Sequence, residues 1–208
     1  CQIKYHKNNI ELKTTKQHPN YSIRSSKENV YFEKLEMSRI IMAWKVPNSN
    51  DQKSIIGLEI LASLLVDGRN SKLGKPLKEE QNIVESIYVD LNTGEFGSLL
   101  ILEACCSNIN SRLVETIINK VLNKLILSEN YTNKEMKIAQ RIVKSNYLFN
   151  LETATQKSSF FGNHFLWGRK DPIKDLDKYL EYWNKRENFK NIINILDHKK
   201  YTLLAQRK

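Results

Sequence analysis

The sequence is poor in the residues that mark several common classes of protein. Its 208 residues include 3 cysteines, 7 glycines and 4 prolines. Three cysteines are too few for the disulfide framework of a small secreted domain, and the scarcity of glycine and proline excludes a collagen-like or linker-rich chain. This cysteine usage favours a reducing compartment, with the cytoplasm as the default.

Long apolar runs are missing as well. The best run, Ile55 to Val66, is interrupted by Gly57, Glu59 and Ser63. No segment therefore reaches the roughly 18 apolar residues of a membrane-spanning helix. The N-terminal residues are too polar for the apolar core of a signal peptide.

The net charge of +10 would permit binding to nucleic acid or to an anionic membrane. The excess is mostly lysine scattered along the chain, without an arginine-rich helix or an interleaved aromatic and basic motif. We interpret most of this charge as a solvated surface and expect neither a nucleic-acid nor a membrane partner. A basic nucleic-acid-binding module remains an alternative, which salt-dependent retention on DNA would favour.

Apolar periodicity, capping residues and turn signals predict one α+β domain. Runs of strands and helices that do not alternate strictly favour a two-layer sandwich, in which helices cover a mixed or antiparallel sheet. We expect residues 1–28 to form a polar lead-in and residues 29–208 a single domain. Strands are predicted at 10–14, 30–32, 39–46, 83–91, 98–106 and 201–205, and helices at 54–66, 71–81, 113–126, 133–150, 153–166, 172–183 and 187–196.

Several of these elements carry specific local signals. The nearly continuous apolar run at 39–46 is typical of a central strand that is covered on both faces. The helix predicted at 54–66 is apolar almost all round, and Gly57 should allow neighbouring elements to pack closely against it. Thr132 is expected to begin a helix with a capping box, and Asp171 should be the N-cap residue of another helix. The sequence Asn92-Thr93-Gly94 is typical of a hairpin turn and should join the strands predicted at 83–91 and 98–106.

No metal site is predicted. None of the four histidines (His6, His18, His164 and His198) has a second histidine three to five residues away, and none lies in a His-Glu-x-x-His or His-x-x-Glu-His pattern. Without that spacing, two ligands are not presented on one helical face. We expect His6 and His18 to be exposed, His198 to lie near a helix end, and His164 to be half-buried beside Phe165.

Nucleophilic and nucleotide-binding motifs are also missing. The sequence has no Gly-x-Ser-x-Gly elbow, P-loop or dinucleotide-binding fingerprint. Cys105 and Cys106 are adjacent on a predicted strand, so their side chains should point to opposite faces. Apolar surroundings should raise the thiol pKa of this pair rather than activate it.

The segment between the helix at 54–66 and the strand that starts near Ile83 resembles a known pattern. Residues 68–73 read Gly-Arg-Asn-Ser-Lys-Leu, and residues 77–85 read Leu-Lys-Glu-Glu-Gln-Asn-Ile-Val-Glu. They are similar to Gly-Arg-Ser-Ser-Arg-Leu and Leu-Arg-Glu-Glu-x-Gly-Leu-Ala-Tyr in the second domain of insulinase (pitrilysin) family zinc peptidases. The likeness continues at 46–47, 151–153 and 167–172, and it covers the chain from residue 29 onwards.

The resemblance implies the non-catalytic second domain of a zinc-dependent endopeptidase. In that family an upstream domain carries an inverted His-x-x-Glu-His zinc motif, and related domains close like a clamshell around short or unfolded peptides. The implied partners are that zinc-binding domain, a second subunit and a peptide substrate. Zinc is expected in the upstream domain and no cofactor in this chain.

The chain departs from the family at the positions that matter for catalysis. Active members place an Arg and a Tyr of this domain opposite the zinc, where they are thought to stabilise the oxyanion. The matching, substrate-facing positions here are Lys78 and Glu85. Lysine lacks the planar donor fork, and an ionised glutamate cannot donate a hydrogen bond. Tyr88 should face the opposite side of the strand, so we predict no catalytic residue in this chain.

Two further hypotheses stay open beside a peptidase domain. The protein could be a purely structural subunit, like the non-peptidase core subunits of respiratory complexes in the same family, or the basic nucleic-acid-binding module considered above. The parent protein is expected to be a zinc metallopeptidase, whereas this chain alone lacks zinc ligands and the usual Arg and Tyr.

Overall fold

The computed structural model describes residues 24–168, 171–197 and 200–208. One five-stranded mixed sheet has the strand order β1-β5-β2-β4-β3. The outer pair β1–β5 is parallel and the other three pairs are antiparallel. The strands are β1 (Ser26–Phe32), β2 (Ser38–Val46), β3 (Val84–Asn92), β4 (Ser98–Cys106) and β5 (Lys200–Arg207).

Six α-helices and a short π-type helix accompany the sheet in the described residues. The π-type helix (Lys75–Glu80) lies within the helix predicted at 71–81 and has Pro76 in its first turn, where a proline is tolerated. The α-helices are α1 (Gln52–Val66), α2 (Ser111–Ser128), α3 (Asn133–Phe149), α4 (Ala154–Leu166), α5 (Pro172–Trp183) and α6 (Arg186–Ile193). The predicted α+β two-layer sandwich is confirmed.

Capping residues set several helix boundaries. The Asp51 carboxylate accepts a hydrogen bond from the Ser54 backbone N–H at 3.0 Å and begins α1. Thr132 and Glu135 form the expected capping box at the start of α3. Asp171 occupies the N-cap position of α5 but makes no side-chain capping bond there, so only the position of that predicted cap is correct.

The core lies between the helices and one face of the sheet. Along β2, Ile40, Met42 and Trp44 are buried, and the Trp44 indole N–H donates to the Leu196 carbonyl at 3.1 Å. The alternate residues of β2 are only partly buried or exposed. β2 is therefore central in the sheet, but the prediction that it is covered on both faces is wrong. A continuous apolar run does not by itself fix which faces tertiary packing covers.

Helix α1 is buried almost all round, and Gly57 makes this possible. A Cβ atom at Gly57 would lie 2.8 Å from both Ile192 of α6 and Trp183 of α5. The Trp183 indole N–H donates to the Lys53 carbonyl of α1 at 2.8 Å. The predicted close packing at Gly57 is thus confirmed, and it lets α5 and α6 sit directly against α1.

Some predicted features differ from the structure or lie outside it. Strand β1 starts at Ser26, inside the predicted lead-in, and the predicted strand at 10–14 lies outside the described residues. His164 is 6% exposed and packs against Phe160 at a ring-centroid distance of 4.3 Å, whereas Phe165 is exposed. The expectation of a half-buried histidine beside Phe165 is therefore wrong. No helix among the described residues is long and apolar enough to cross a bilayer.

Substituting Gly57 by alanine should destabilise the protein, because the added methyl group has no room. The cost of overpacking, about 1–3 kcal/mol, exceeds the gain of about 1 kcal/mol from better helix propensity. We expect a net loss of up to about 2 kcal/mol in the free energy of unfolding, measured by urea denaturation.

Gly162→Ala is the matched control, since a Cβ there meets nothing within 4 Å on the exposed side of α4. It should be neutral or should stabilise by up to about 1 kcal/mol. A Gly57→Ala variant that is as stable as the unmodified protein would contradict the packing described for α1.

Candidate functional site

The sheet surface that faces away from the core is the candidate site, and we call it the open face. On β2 it carries Arg39, Ile41, Ala43 and Lys45, none of which is buried. The antiparallel register places Ile41 beside Glu103 and Ala43 beside Ile101 of β4. Leu203 of β5 pairs with Ile41 from the other side. The open face is thus mixed: it is apolar at Ile41, Ala43, Ile101 and Leu203 and charged at Arg39, Lys45 and Glu103.

A β-bulge sets which side chains of β3 reach the open face. Val84 pairs with Cys106, but Ser86 already pairs with Cys105, so two residues of β3 span one step of β4. Beyond the bulge, Tyr88 pairs with Glu103 on the open face. The prediction that Tyr88 faces the opposite side from Glu85 is therefore wrong, because it assumed unbroken alternation.

Three side chains from three strands form a polar group on the open face. The Arg39 guanidinium donates to the Glu103 carboxylate at 2.5 Å, and the side chain of Arg39 is half exposed. The hydrogen bond and the charge of Glu103 raise the pKa of Arg39. Burial and a hydrogen bond to Glu103 raise the pKa of Tyr88, so the phenol stays neutral and can donate. The group offers donors and one shared carboxylate to a ligand.

The two cysteines of β4 point to opposite faces, as predicted. Cys106 is fully buried in the core, and burial raises its pKa to about 11. Cys105 lies on the open face and donates through its thiol to the Glu85 carboxylate, with 3.8 Å between Sγ and Oε2. Burial, followed by the negative charge of Glu85, raises the pKa of Cys105. The prediction that the surroundings raise rather than lower the thiol pKa is confirmed.

The segment that carries the family resemblance is fixed by contacts at both ends. Lys72 donates to Glu135 of α3 at 2.8 Å, with both side chains less than one quarter exposed. Leu77 is buried, and its carbonyl accepts from the Ile83 N–H at 3.0 Å. Asn82 has a φ of 48°, a left-handed turn that redirects the chain into β3.

The two predicted substrate-facing residues lie at opposite ends of this turn. Lys78 is exposed on the short helix Lys75–Glu80, and Glu85 is exposed at the bulge of β3. Among the described residues, no hydrogen bond or ion pair joins Lys78 to Glu85. Their assignment as substrate-facing positions stays a prediction.

The described residues contain no group of three or more His, Cys, Asp or Glu side chains that could hold a metal ion. His6, His18 and His198 lie outside the described residues. His164 packs within an aromatic cluster with Phe160 and Trp167.

Arg39, Tyr88 and Glu103 are functional candidates that the sequence analysis did not identify. Glu103 is the single charge of β4, and Arg39 shares β2 with one further charge, Lys45. Charges within otherwise apolar strands are a signal that one face of those strands is accessible to solvent. Their pairing could not be foreseen, since it depends on the register between strands that are 64 positions apart. The role of Tyr88 depends on a bulge that has no clear local signature.

Comparison with protein families gives one match. Residues 3–143 match the family described as the peptidase M16 inactive domain. The matched region ends within α3, and it includes the open face of β2, β3 and β4 with the segment around Lys78 and Glu85. A comparison with curated protein sequences found no significant match.

Solved structures share the fold at low sequence identity. A protease from Helicobacter pylori matches with a TM-score of 0.74 and 17% identity over 86% of this chain and 43% of its own. The periplasmic protease PqqL from Escherichia coli matches with a TM-score of 0.67 and 13% identity over 90% of this chain and 21% of its own. A chain of complex III2 from Candida albicans gives 0.74 and 15%, over 88% and 46%. This chain spans less than half the length of each of these three structures.

Replacing Glu85 by glutamine should make Cys105 more reactive. The Glu85 charge helps to raise the pKa of Cys105, so its removal increases the thiolate fraction at a given pH. For a partly solvated pair worth less than about 1 kcal/mol, the maleimide labelling rate at pH 8 should rise roughly two- to fivefold. In the unmodified protein the rate should rise with pH up to the raised pKa.

Labelling is measured in a Cys1→Ser background by tandem mass spectrometry, which separates Cys105 from Cys106. Glu79→Gln, on the exposed short helix, removes the same charge and should leave the rate unchanged. Cys106 should react only after unfolding. An unchanged rate in Glu85→Gln would contradict the placement of Glu85 against Cys105.

Proposed function

The chain belongs to the peptidase M16 inactive-domain family, and from that premise we propose that it is the non-catalytic second domain of a zinc-dependent endopeptidase. In this proposal the zinc is supplied by an upstream domain of the same protein. The chain contributes one wall of a chamber that holds short or unfolded peptides. The open face is that wall, and Lys78 and Glu85 lie at its β3 side towards the substrate.

The observation that carries the proposal is a sheet whose second face stays accessible although it is partly apolar. A single domain normally buries the apolar face of a sheet against another layer. Here Ile41, Ile101 and Leu203 remain only partly covered by described residues. Such a face suits extended peptides, whose backbone and side chains offer both apolar and polar groups.

The polar group on the open face supports binding rather than bond cleavage. Arg39 is already paired with Glu103, which reduces its ability to stabilise a developing negative charge. Lys78 and Glu85 replace the Arg and Tyr that the family resemblance would require. The chain therefore supplies positioning contacts, and the chemistry is assigned to its partner domain.

The second candidate is a structural subunit without peptidase activity. It is favoured by the likeness to a chain of complex III2 from Candida albicans and by the same replacements at Lys78 and Glu85. In this case the open face packs permanently against a neighbouring domain and no peptide enters. A peptide-binding test on the intact parent protein separates the two candidates.

A photo-reactive side chain on the open face should cross-link to peptide. We would replace Tyr88, which is 45% exposed, by p-benzoylphenylalanine in the intact parent protein and irradiate it with an unfolded, biotin-labelled peptide. Biotin should become attached at position 88, because the chamber wall contacts the substrate.

Tyr182 is the matched control, since it is a tyrosine of α5 that is 36% exposed in the helical layer. The same replacement there should give no peptide adduct. Cross-linking from position 88 only to another part of the parent protein would instead favour the structural subunit. Equal peptide labelling at both positions would contradict a substrate-facing open face.

A further inference from the structure

A groove with a volume of about 300 Å³ lies between α2 and the short helix Lys75–Glu80. Helix α2 belongs to the layer that covers the core, so the groove and the open face lie on opposite sides of the sheet. The groove is lined by both apolar and basic side chains. The apolar lining includes Pro76, Ile117 and Val121, and the basic lining is Lys72, Lys120 and Lys124.

The apolar lining continues a stripe that α2 leaves uncovered. Leu113, Ile117 and Val121 follow one another at four-residue intervals, so they lie on one side of the helix. Leu113 is 48% exposed, and Ile117 and Val121 are partly exposed. Leu127, at the end of the helix, is 86% exposed. The apolar surface of α2 is therefore wider than its packing against the core requires.

Two lysines on the same side of α2 give the groove a positive charge that the chain does not compensate. Lys120 and Lys124 are exposed and lie about one turn apart. Neither forms an ion pair within the described part of the chain, whereas Lys72 is paired with Glu135 at 2.8 Å. None of the described residues that line the groove is an aspartate or a glutamate.

This combination of charge and apolar surface indicates the chemistry of the occupant. The two uncompensated lysines favour carboxylates, and the aliphatic stripe favours aliphatic side chains rather than phosphates. A groove for single-stranded nucleic acid normally offers aromatic side chains or arginines on which bases stack, and the described lining residues include neither.

The dimensions of the stripe indicate the shape of the occupant. The stripe from Leu113 to Lys124 is about 17 Å long at the rise of an α-helix. It is straight, because all its residues belong to α2. A partner helix of about three turns that presents apolar residues at positions i, i+3, i+4 and i+7 would match this length and pattern.

We propose that the groove is a docking site for an acidic amphipathic helix of a partner protein. Aliphatic side chains of that helix pack on Ile117 and Val121, and its carboxylates pair with Lys120 and Lys124. The docking site does not depend on the proposed peptidase function, because it rests on residues of the helical layer and leaves the open face free.

The test is an NMR titration of the full 208-residue chain with an acidic amphipathic probe peptide, three repeats of Leu-Glu-Ala-Leu-Leu-Glu-Gln. Backbone amide signals of residues 72–81 and 113–127 should shift together and saturate, whereas those of residues 39–45 on the open face should not move. Affinity should fall as salt is added, since exposed charges are screened. The absence of a saturable shift at the groove would overturn the proposal.

Three competitors separate a helix-docking groove from a merely basic surface. A shuffled peptide of the same composition, with its leucines spread around the helix, should bind several-fold more weakly. A peptide with lysine in place of each glutamate should not bind. A single-stranded DNA oligonucleotide should not displace the probe at equal concentration. Equal binding of the shuffled peptide, or displacement by DNA, would overturn the proposal.

Variants test the charged side of the groove. Lys120→Gln combined with Lys124→Gln removes two exposed charges and should weaken probe binding about three- to tenfold. The matched control is Lys174→Gln combined with Lys178→Gln, which removes two exposed lysines at the same spacing on α5 and should leave affinity unchanged. An equal effect of the two double variants, or none in either, would contradict docking at α2.

Val121→Thr tests the apolar side, because it keeps the shape of the side chain and adds a hydroxyl group. Probe binding should weaken about two- to fivefold. Leu113→Gln, at a more exposed position of the same stripe, gives a second measurement if Val121→Thr lowers the stability to urea. Unchanged affinity in both variants would show that charge alone holds the probe, and would overturn the assignment of an amphipathic helix. Circular dichroism confirms that each variant is folded.

Discussion

The close packing around α1 is the constraint on which the rest of the structure depends. Gly57 leaves no side chain between α1 and the helices α5 and α6, so Trp183 and Ile192 fill the space directly. The helical layer is thereby gathered on the core side of the sheet. Alternate residues of β2, β4 and β3 form the opposite face of the sheet. That face is accessible because the helices pack on one side of the sheet.

The open face that results combines two kinds of surface. It is apolar at Ile41, Ala43, Ile101 and Leu203, whereas Arg39 of β2 and Glu103 of β4 carry opposite charges that neutralise each other within the chain. Because the two charges are paired, covering this surface with a peptide or a partner domain requires less desolvation free energy than burying an isolated charge would. The same pairing occupies the Arg39 guanidinium, so this group is less able to stabilise an oxyanion, which agrees with a binding role.

The order of strands and helices could be predicted because its signals are local. Strand β4 has the predicted limits, and the capping box of Thr132 and Glu135 begins α3 as expected. The bulge beside Glu85 could not be predicted, because it depends on pairing between β3 and β4. The burial of His164 and the exposure of one face of β2 could not be predicted either, since packing between distant segments decides them. Lys78 and Glu85 were identified through family resemblance rather than chemistry.

Our main proposal is that this chain is the half of a peptidase that carries no zinc and no catalytic group. The most direct test compares zinc content and turnover of a fluorogenic peptide for the intact parent protein and for the isolated 208-residue chain. We expect one zinc and measurable turnover in the parent, and neither in the chain alone. Stoichiometric zinc in the isolated chain, with turnover that is lost on substituting one of its own residues, would contradict it.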